Sequence, residues 1–506
     1  MATTDSSVSN SDSLRRAAID RSVKGPVLFL FANAAMWLLA STLMGLIASI
    51  KLVSPDFLNY DWLWFLNYGR LQPAHMAALV YGWAMQAGLG VAVWLLARRS
   101  GQALAAGAGT MLVAGIFWNV GVTIGIIGIL SGAGTSLQWL EFPSFVWPVL
   151  LISYLMIAVK MIVHYNRANR QQGFHLTSWY LLAGLLCFPW IFLTANLVLN
   201  CFAAATPIGA IGAGVNAWYV SAVIMLFFAP LGLGACYYFI PKITGQPVYS
   251  YQLAQIGFWG LIVLGGWSGF QKYMGGPIPT WTVAVGGMAT ILLLVPAGIV
   301  ALNHHLTTAG KHSLIETSPT LRFIFVGSAS FLVTSGIAAL IGNFWTGTNF
   351  QFTHAEYGYH LSAVYAFFSM TMFGAIYYIT PRLAGCEWLS ARLIRNHFWF
   401  SVYGITALVV CMVIGGLAQG QSQNSPGNWD HAFVGSVWNA RGYLIGRILA
   451  WAFILWSNFW FFTHLVFMVL GLGRRSVAPT LLHHDHHDEH PAAVPAPTHP
   501  PASATA

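Results

Sequence analysis

The chain has 506 residues, of which 57% are hydrophobic and only 7% are charged, and its formal net charge at pH 7 is +9. Soluble domains carry about a quarter charged residues, so this composition excludes an ordinary soluble protein and indicates one embedded in a lipid bilayer. The basic residues form no stripe that follows a phosphate backbone, which argues against a nucleic-acid partner.

Apolar runs of roughly 20 residues, long enough to cross the hydrocarbon core, recur along the chain. Backbone polar groups in lipid must be satisfied within a segment, so these runs predict helices. The predicted spans lie near residues 27–50, 73–97, 105–131, 144–164, 178–201, 212–240, 254–275, 280–302, 321–343, 357–381, 397–419 and 442–472. We therefore predict an all-α integral membrane protein with a polar N-terminus at 1–26, a twelve-helix membrane domain at 27–475 and a disordered Pro/Ala/His-rich tail at 476–506.

The distribution of Lys and Arg predicts the orientation of the chain. If both termini are cytoplasmic, seventeen of the 22 Lys and Arg residues lie on the cytoplasmic side. The outer side keeps only Lys51, Arg70, Lys272, Arg441 and Arg447. Cytoplasmic loops of membrane proteins carry such an excess. We predict a multi-pass protein of the bacterial inner membrane, with both termini cytoplasmic and the first span directing insertion.

The cysteines and the tail say little about metal chemistry. Five cysteines show no CxxC and no CxxCH pattern, so no haem is attached covalently to this chain. The tail contains His483, His484, His486, His487 and His490. These histidines either bind a transition metal weakly or are incidental in a soluble tail.

Three histidines fall inside predicted spans away from the terminal residues of those spans, and an ionisable residue there indicates a functional site. His75 lies 23 residues before Arg98 and His360 lies 22 residues before Arg382, and both arginines mark predicted cytoplasmic helix ends. At 1.5 Å per residue both histidines lie roughly 33–35 Å above that boundary, level with each other near the outer face. His464 lies only about 15 Å above it and cannot share their plane.

Two imidazoles at one depth on different helices are what axial ligation of a haem iron requires. Such a six-coordinate, low-spin iron is suited to electron transfer. We therefore predict one low-spin haem b between His75 and His360, the alternative being that each histidine only hydrogen-bonds a neighbouring helix. The haem propionates need cations at the outer face, and Arg70 and Arg441 are placed to pair with them.

Several short strings carry a family resemblance. They are RLQPAHM around His75, LEFP at Glu141, YYFIPK at 237–242, PVYSY at 247–251, LRF at 321–323 and IYYITPR at the end of helix ten. With twelve helices and histidines in the second and tenth, the chain resembles subunit I of the haem-copper oxidase superfamily. It is most similar to the catalytic subunit of the cbb-type (C-family) cytochrome c oxidases, over about residues 28–475.

This resemblance implies the twelve-helix fold of subunit I and a role for the histidine pair. His75 and His360 match the ligands of the low-spin haem b, and the two arginines named above lie near its propionates. Glu141 matches an acidic position near the same propionates. The spacing between LRF and the end of helix ten fits the family only if one residue is shifted, so His354 remains an alternative ligand to His360.

The family's copper and high-spin haem ligands are missing at the matching positions. Ser221 stands where helix six carries a copper-ligating histidine, and Gln271 and Lys272 stand where helix seven carries a histidine pair. Gly265 replaces the redox tyrosine, and Gly358 replaces the proximal histidine of the high-spin haem. Serine is a poor copper ligand, glycine offers none, and a lysine cation is unfavourable beside a copper ion. We expect copper and the oxygen-reducing binuclear centre to be absent.

The function expected from these features is electron transfer through one haem b, without oxygen reduction by this chain. The expected partner is a membrane-anchored or periplasmic c-type cytochrome subunit, in a respiratory or quinol-linked complex. One alternative is a genuine terminal cytochrome c oxidase or nitric oxide reductase subunit with an atypical binuclear centre. His304 and His305 would then be replacement ligands, but they follow helix eight at its cytoplasmic end. The other alternative is a cofactor-free secondary transporter, although no broken helix pair in matching halves is evident.

Overall fold

The computed structural model describes residues 3–168, 175–202, 209–425 and 432–475, so the predicted tail at 476–506 lies outside the described residues. Twelve helices in the described part are long and apolar enough to cross a membrane. We number them in chain order as α1 Thr3–Val53, α2 Tyr68–Ser100, α3 Ala108–Ser131, α4 Trp147–Ala168, α5 Leu176–Phe202, α6 Gly209–Thr244, α7 Tyr251–Tyr273, α8 Thr280–Thr307, α9 Pro319–Gly342, α10 His354–Ala384, α11 Ala391–Asn424 and α12 Ala432–Val469.

The predicted all-α membrane fold is confirmed, since each predicted span corresponds to one of these helices. The helix ends differ from the predicted ends. α1 begins inside the segment 1–26, so the predicted boundary at residue 26 falls within a continuous helix, and α12 begins ten residues before residue 442. Hydrophobicity marks only the part of a helix that crosses hydrocarbon, whereas backbone hydrogen bonding continues through polar turns at the surface.

Three helices form the centre of the bundle. The most apolar 18-residue window is 100% buried in α2, 94% in α6 and 89% in α10, against 39–56% in the other nine helices of the described part. The outer helices therefore present one side to lipid and pack the other against the centre. α11 packs along α12, and α12 packs along α1. His75 and His360 lie on two of the three central helices.

Each central helix contains a π-helical segment. These segments are Ala78–Ala84 in α2, Ile224–Phe228 in α6 and Ser362–Ser369 in α10. His75 lies three residues before the first of them and His360 two residues before the last. A π turn holds an extra residue compared with an α turn and is frequent at functional sites. The segments in α2 and α10 therefore lie directly after the two histidines of the predicted site.

Basic side chains collect at one end of the bundle. Lys242 at the end of α6 lies within electrostatic range of Arg16, Arg98 and Arg382, which belong to α1, α2 and α10. We call this end the basic face, and the other end the opposite face. α2 and α10 both run from the opposite face to the basic face, so the first turns of both helices, which hold the two histidines, lie near the opposite face.

Candidate haem-binding site

The imidazole of His75 is held at both ring nitrogens. Nδ1 lies 2.8 Å from the carbonyl oxygen of Ser41, which can only accept, so Nδ1 carries the proton. Nε2 then has a free lone pair, and it lies 3.1 Å from the hydroxyl of Tyr357. The indole of Trp451 packs edge-on against the ring at 4.9 Å. A metal-ligating histidine usually donates one ring N–H to a carbonyl or carboxylate and binds the metal through the lone pair of the other nitrogen.

The loop between α3 and α4, residues 132–146, brings two further side chains to α10. Asn216 of α6 exchanges two hydrogen bonds, of 3.0 and 2.9 Å, with the backbone of Gln138. Trp139 has a φ of +60°, a conformation that costs about 1–3 kcal/mol outside glycine and is often stored at functional sites. The Trp139 ring packs against His360 with centroids 5.2 Å apart.

His360 is connected through an amide to an ion pair. Nζ of Lys272 lies 2.5 Å from Oε1 of Glu356 and donates to Oε1 of Gln138 at 2.6 Å. An ammonium can only donate, so the amide oxygen of Gln138 faces Lys272 and its nitrogen faces Nδ1 of His360, at a long 3.4 Å. In this arrangement Nδ1 of His360 accepts, unlike Nδ1 of His75.

A cavity of about 470 Å³ lies beside these residues at the opposite face. It is lined by His354, His360, Tyr357, Glu141, Lys272 and Arg447, among others. His75 does not line it, because the Tyr357 hydroxyl covers Nε2. The structure therefore brings both predicted α10 histidines to one cavity. It separates His75 of α2 from that cavity by Tyr357 of α10.

Arg447 of α12 is the cation that the structure brings to this cavity. Its side chain is buried, Nε donates to Ser49 at 2.8 Å, and one Nη donates to Gln72 at 2.8 Å. The guanidinium lies over the Tyr357 ring, 4.1 Å from its centroid. Within the described ranges Arg447 has no carboxylate partner. Sequence reasoning counted Arg447 on the outer side but did not single it out, although it lies inside the predicted span 442–472, which is itself a signal of function.

The two arginines predicted from sequence lie elsewhere. Arg70 donates to the carbonyl of Leu130 at 3.2 Å and lies 4.6 Å from the centroid of Trp64. Arg441 is exposed and lies over Trp438 at 5.4 Å. Neither lines the cavity. Sequence position gives the depth of a side chain along a helix, but not the direction in which the helix turns it.

Glu141 lines the cavity in an unusual electrostatic state. Oε1 accepts from the backbone N–H of Trp139 at 2.9 Å, while Oε2 is buried without a hydrogen-bond partner among the described residues. Burial raises the pKa of this carboxyl to about 7, although the backbone hydrogen bonds act in the other direction. The predicted acidic residue thus lies at the site, and its carboxyl exchanges a proton near neutral pH.

The residues at which we expected the copper and high-spin haem ligands to be missing make packing and polar contacts. A Cβ on Gly358 would lie 2.9 Å from Cβ of Met412, and one on Gly265 would lie 2.9 Å from Cβ of Met225. Ser221 lies 2.7 Å from the hydroxyl of Ser268. A cavity of about 60 Å³ lies between α6, α7, α8, α9 and α10, and Lys272 lines it.

The other buried histidines of α8 and α12 lie away from this site. His304 contacts Ser328 at 2.6 Å and packs on Tyr237. His464 accepts from the backbone N–H of Leu389 at 3.0 Å. In the part of the chain that the structure describes, no group of three or more His, Cys, Asp or Glu side chains is arranged to hold a metal ion.

Comparison with known proteins is consistent across three kinds of match. Residues 25–450 match the family described as Cytochrome C and Quinol oxidase polypeptide I. The Cbb3-type cytochrome c oxidase subunit CcoN1 of Stutzerimonas stutzeri is 26% identical over 428 residues, which is 82% of this chain and 89% of that protein. A cytochrome c oxidase subunit 1 homolog (bacteroid) of Bradyrhizobium diazoefficiens is 26% identical over 458 residues, covering 86% of this chain and 81% of its own length.

A solved structure carries the same fold. The cryo-EM structure of a heme-copper terminal oxidase dimer aligns with a TM-score of 0.68 at 13% identity, covering 93% of this chain and 88% of that one. At that identity the likeness speaks for the fold alone. The family match, however, spans nearly the whole membrane domain. The chain therefore belongs to the family of cytochrome c and quinol oxidase polypeptide I, subunit I of the haem-copper oxidases.

Proposed function

We propose that this chain is a membrane electron-transfer subunit that binds one low-spin haem b through His75 and His360 and does not itself reduce oxygen. The observation that carries the proposal is the state of His75. Its Nδ1 proton is committed to the Ser41 carbonyl and its Nε2 lone pair points toward α10. Metal-ligating histidines usually donate one ring N–H to a carbonyl or carboxylate and keep the other nitrogen for the metal, and this fully buried ring has that arrangement.

The residues around the cavity fit a haem, provided that two side chains move. A bound haem would supply reversible one-electron chemistry. For His75 to act as a ligand, the Tyr357 hydroxyl must leave Nε2. For His360 to bind through Nε2, its Nδ1 must carry the proton, so the Gln138 amide must turn its oxygen toward the ring. His354 lines the same cavity and remains the alternative second ligand.

The polar end of the cavity suits the propionates. Arg447 is held in place by Ser49 and Gln72, so its charge is available without further ordering. Charge-assisted hydrogen bonds to a carboxylate are roughly twice as strong as neutral ones. Glu141, with its raised pKa, is able to stay protonated beside a propionate and avoid repulsion. We assign to Arg447 the role that the sequence suggested for Arg441, and leave Arg70 as a more distant cation.

The absence of oxygen chemistry is supported by the Lys272 contacts. A cation paired with Glu356 and bonded to Gln138 lies where the copper ligands of the family belong. An ammonium has no lone pair to offer a copper ion, and its ion pair with Glu356 occupies the nearby carboxylate as well. Gly358 and Gly265 pack so closely on α11 and α6 that an imidazole or phenol ring there would require the helices to separate.

The relatives that match this chain are named as cytochrome c oxidase subunits. We therefore propose a membrane-anchored or periplasmic c-type cytochrome as the partner, docked at the opposite face near the cavity. A quinol-linked complex is the second possibility for the electron donor, since the family includes quinol oxidases. With the opposite face toward the outside of the membrane, the basic face and both termini are cytoplasmic.

The test is a haem and copper count on the purified protein, together with reduced-minus-oxidised spectra. We expect one haem b per chain, a low-spin spectrum and no stoichiometric copper. H75A and H360A should lose the pigment, whereas H304A, which removes a buried imidazole elsewhere, should keep it. H354A decides between the two α10 histidines.

Three results would contradict the proposal. Retention of the low-spin spectrum in H75A removes its basis. Stoichiometric copper with two haems per chain would instead indicate a terminal oxidase or nitric oxide reductase. A colourless wild-type protein from haem-replete cells would favour a transporter.

A further inference from the structure

A second large cavity opens on the basic face, between the start of α1 and the end of α10. Its volume is about 660 Å³. The wall formed by α1 is one side of that helix, because its residues recur every three or four positions from Asp12 to Lys24. The charged side chains that line the cavity are Asp12, Arg16, Asp20, Arg21, Lys24 and Arg382. None of these residues takes part in the haem site.

Both carboxylates of this cavity are already neutralised. Asp12 accepts from Arg15 at 2.9 Å and from Arg16 at 3.0 Å. Asp20 is buried and lies 3.3 Å from Nε of Arg98 at the end of α2. Asp12 and Asp20 therefore each form their salt bridges with cations other than Arg21, Lys24 and Arg382, although Asp20 also lies within electrostatic range of Arg382.

Three cations of the cavity keep an unbalanced charge. Arg21, Lys24 and Arg382 are exposed, and the described residues offer none of them a carboxylate partner. Arg382 is nevertheless oriented, because its guanidinium lies 3.6 Å from the centroid of the Tyr378 ring and one Nη donates to the Tyr378 carbonyl at 2.5 Å. Lys242 adds a fourth positive charge nearby. A concave site lined by one sign of charge concentrates the opposite ion.

We propose that this cavity binds a phosphate-bearing anion, held by Arg21, Lys24 and Arg382. Arginine presents paired N–H groups that match phosphate oxygens, and lysine supplies a compact point charge. Cations from two helices address a tetrahedral group with several oxygens better than a planar carboxylate. An anionic phospholipid headgroup and a free phosphate ester offer the same chemistry, and basic pockets between membrane helices commonly bind the former.

The test compares two triple variants of the full-length protein by native mass spectrometry. R21Q/K24Q/R382Q removes the three cavity cations. R167Q/K311Q/R392Q removes three exposed cations outside the cavity and matches the change in net charge. The probes are phosphatidylglycerol in mixed micelles and inorganic pyrophosphate. We expect one bound probe per wild-type chain, about tenfold weaker binding by the cavity variant, and unchanged binding by the control variant.

The two probes distinguish the source of the phosphate. Binding of phosphatidylglycerol that pyrophosphate does not displace indicates a lipid headgroup, and binding of pyrophosphate by the delipidated protein indicates a soluble phosphate ester. Equal affinity of the two triple variants for both probes overturns the proposal, as does the absence of binding by the wild type. Thermal unfolding checks that both variants fold. If the triple variant does not, K24E alone should weaken binding, and a K24E variant that binds like the wild type overturns the proposal equally.

Discussion

Gly45 of α1 provides a test of the His75 geometry without changing a ligand. A Cβ built on Gly45 would lie 2.8 Å from both Cε1 and Nδ1 of the imidazole. Ordinary carbon contacts lie at about 3.5–4.0 Å, so G45A requires a displacement of several tenths of an ångström. The ring has little room to retreat, because Trp451 packs against it and Nδ1 is bonded to the Ser41 carbonyl.

The expected energy follows from these contacts. Overpacking a tight site costs about 1–3 kcal/mol, and loss of the Nδ1 hydrogen bond adds about 1 kcal/mol. Replacing glycine by alanine inside a helix returns about 0.5–1 kcal/mol. In G45A, holding the His75 ring in its present position therefore costs about 1–3 kcal/mol more than in the wild type. Because 1.4 kcal/mol is a factor of ten in an equilibrium constant, G45A should bind haem about fivefold or more weakly than the wild type.

The assay is a haem titration of the apoprotein, followed by the low-spin absorption band, with thermal unfolding measured in parallel. G25A is the matched control on the same helix, because its Cβ would lie 3.5 Å from Cδ1 of Leu112, an ordinary contact. G25A should keep wild-type haem affinity and unfold at the same or a higher temperature. The reasoning is refuted if G45A also binds haem like the wild type and gains stability.

Three further substitutions address the polar residues of the site. Burial raises the pKa of Glu141 to about 7 from an ordinary value of 4.5, so the folded state binds its proton more tightly than the unfolded state. Stability should therefore fall as the pH rises from about 5 to about 7, by up to about 3 kcal/mol, and E141Q should flatten this slope in thermal unfolding. R447Q should lower the haem occupancy at limiting haem, because buried charge-assisted hydrogen bonds contribute about 1.5–3 kcal/mol. R441Q should leave the occupancy unchanged. Equal effects of the two substitutions contradict the assignment of Arg447 to the propionates. K272M removes a cation and leaves Glu356 unpaired, so the midpoint potential of the haem in a redox titration should fall. A potential that stays constant or rises contradicts the connection of Lys272 to His360 through Gln138.

Much of the fold was predictable because its signals are local. Apolar length identifies a membrane helix without reference to its neighbours, so the twelve spans are predicted correctly. The ends were less predictable, since α1 continues through the polar segment 1–26, where the sequence carries no hydrophobic signal. The π-helical segment at Ser362–Ser369 was not predicted.

The candidate site was predictable in part. Depth along a helix follows from counting residues, which is why His75 and the start of α10 were expected at one level. The side chains that share the cavity could not be counted in this way. Tyr357 covers Nε2 of His75, and Arg447 rather than Arg441 lines the cavity. Both facts depend on how α10 and α12 are rotated about their own axes.

The sequence by itself determined the membrane class and the number of helices, because each depends on residue type and spacing along one segment. The level histidine pair and the loss of the copper ligands come from the same kind of signal and stand as proposals. The tertiary structure alone decided which side chains of distant segments contact each other. It pairs Lys272 with Glu356 across 84 residues of chain, joins Gln138 to α6, and turns Arg447 inward over Tyr357. Helix rotation and the approach of distant segments are set by close packing of the whole bundle, which no single stretch of sequence contains.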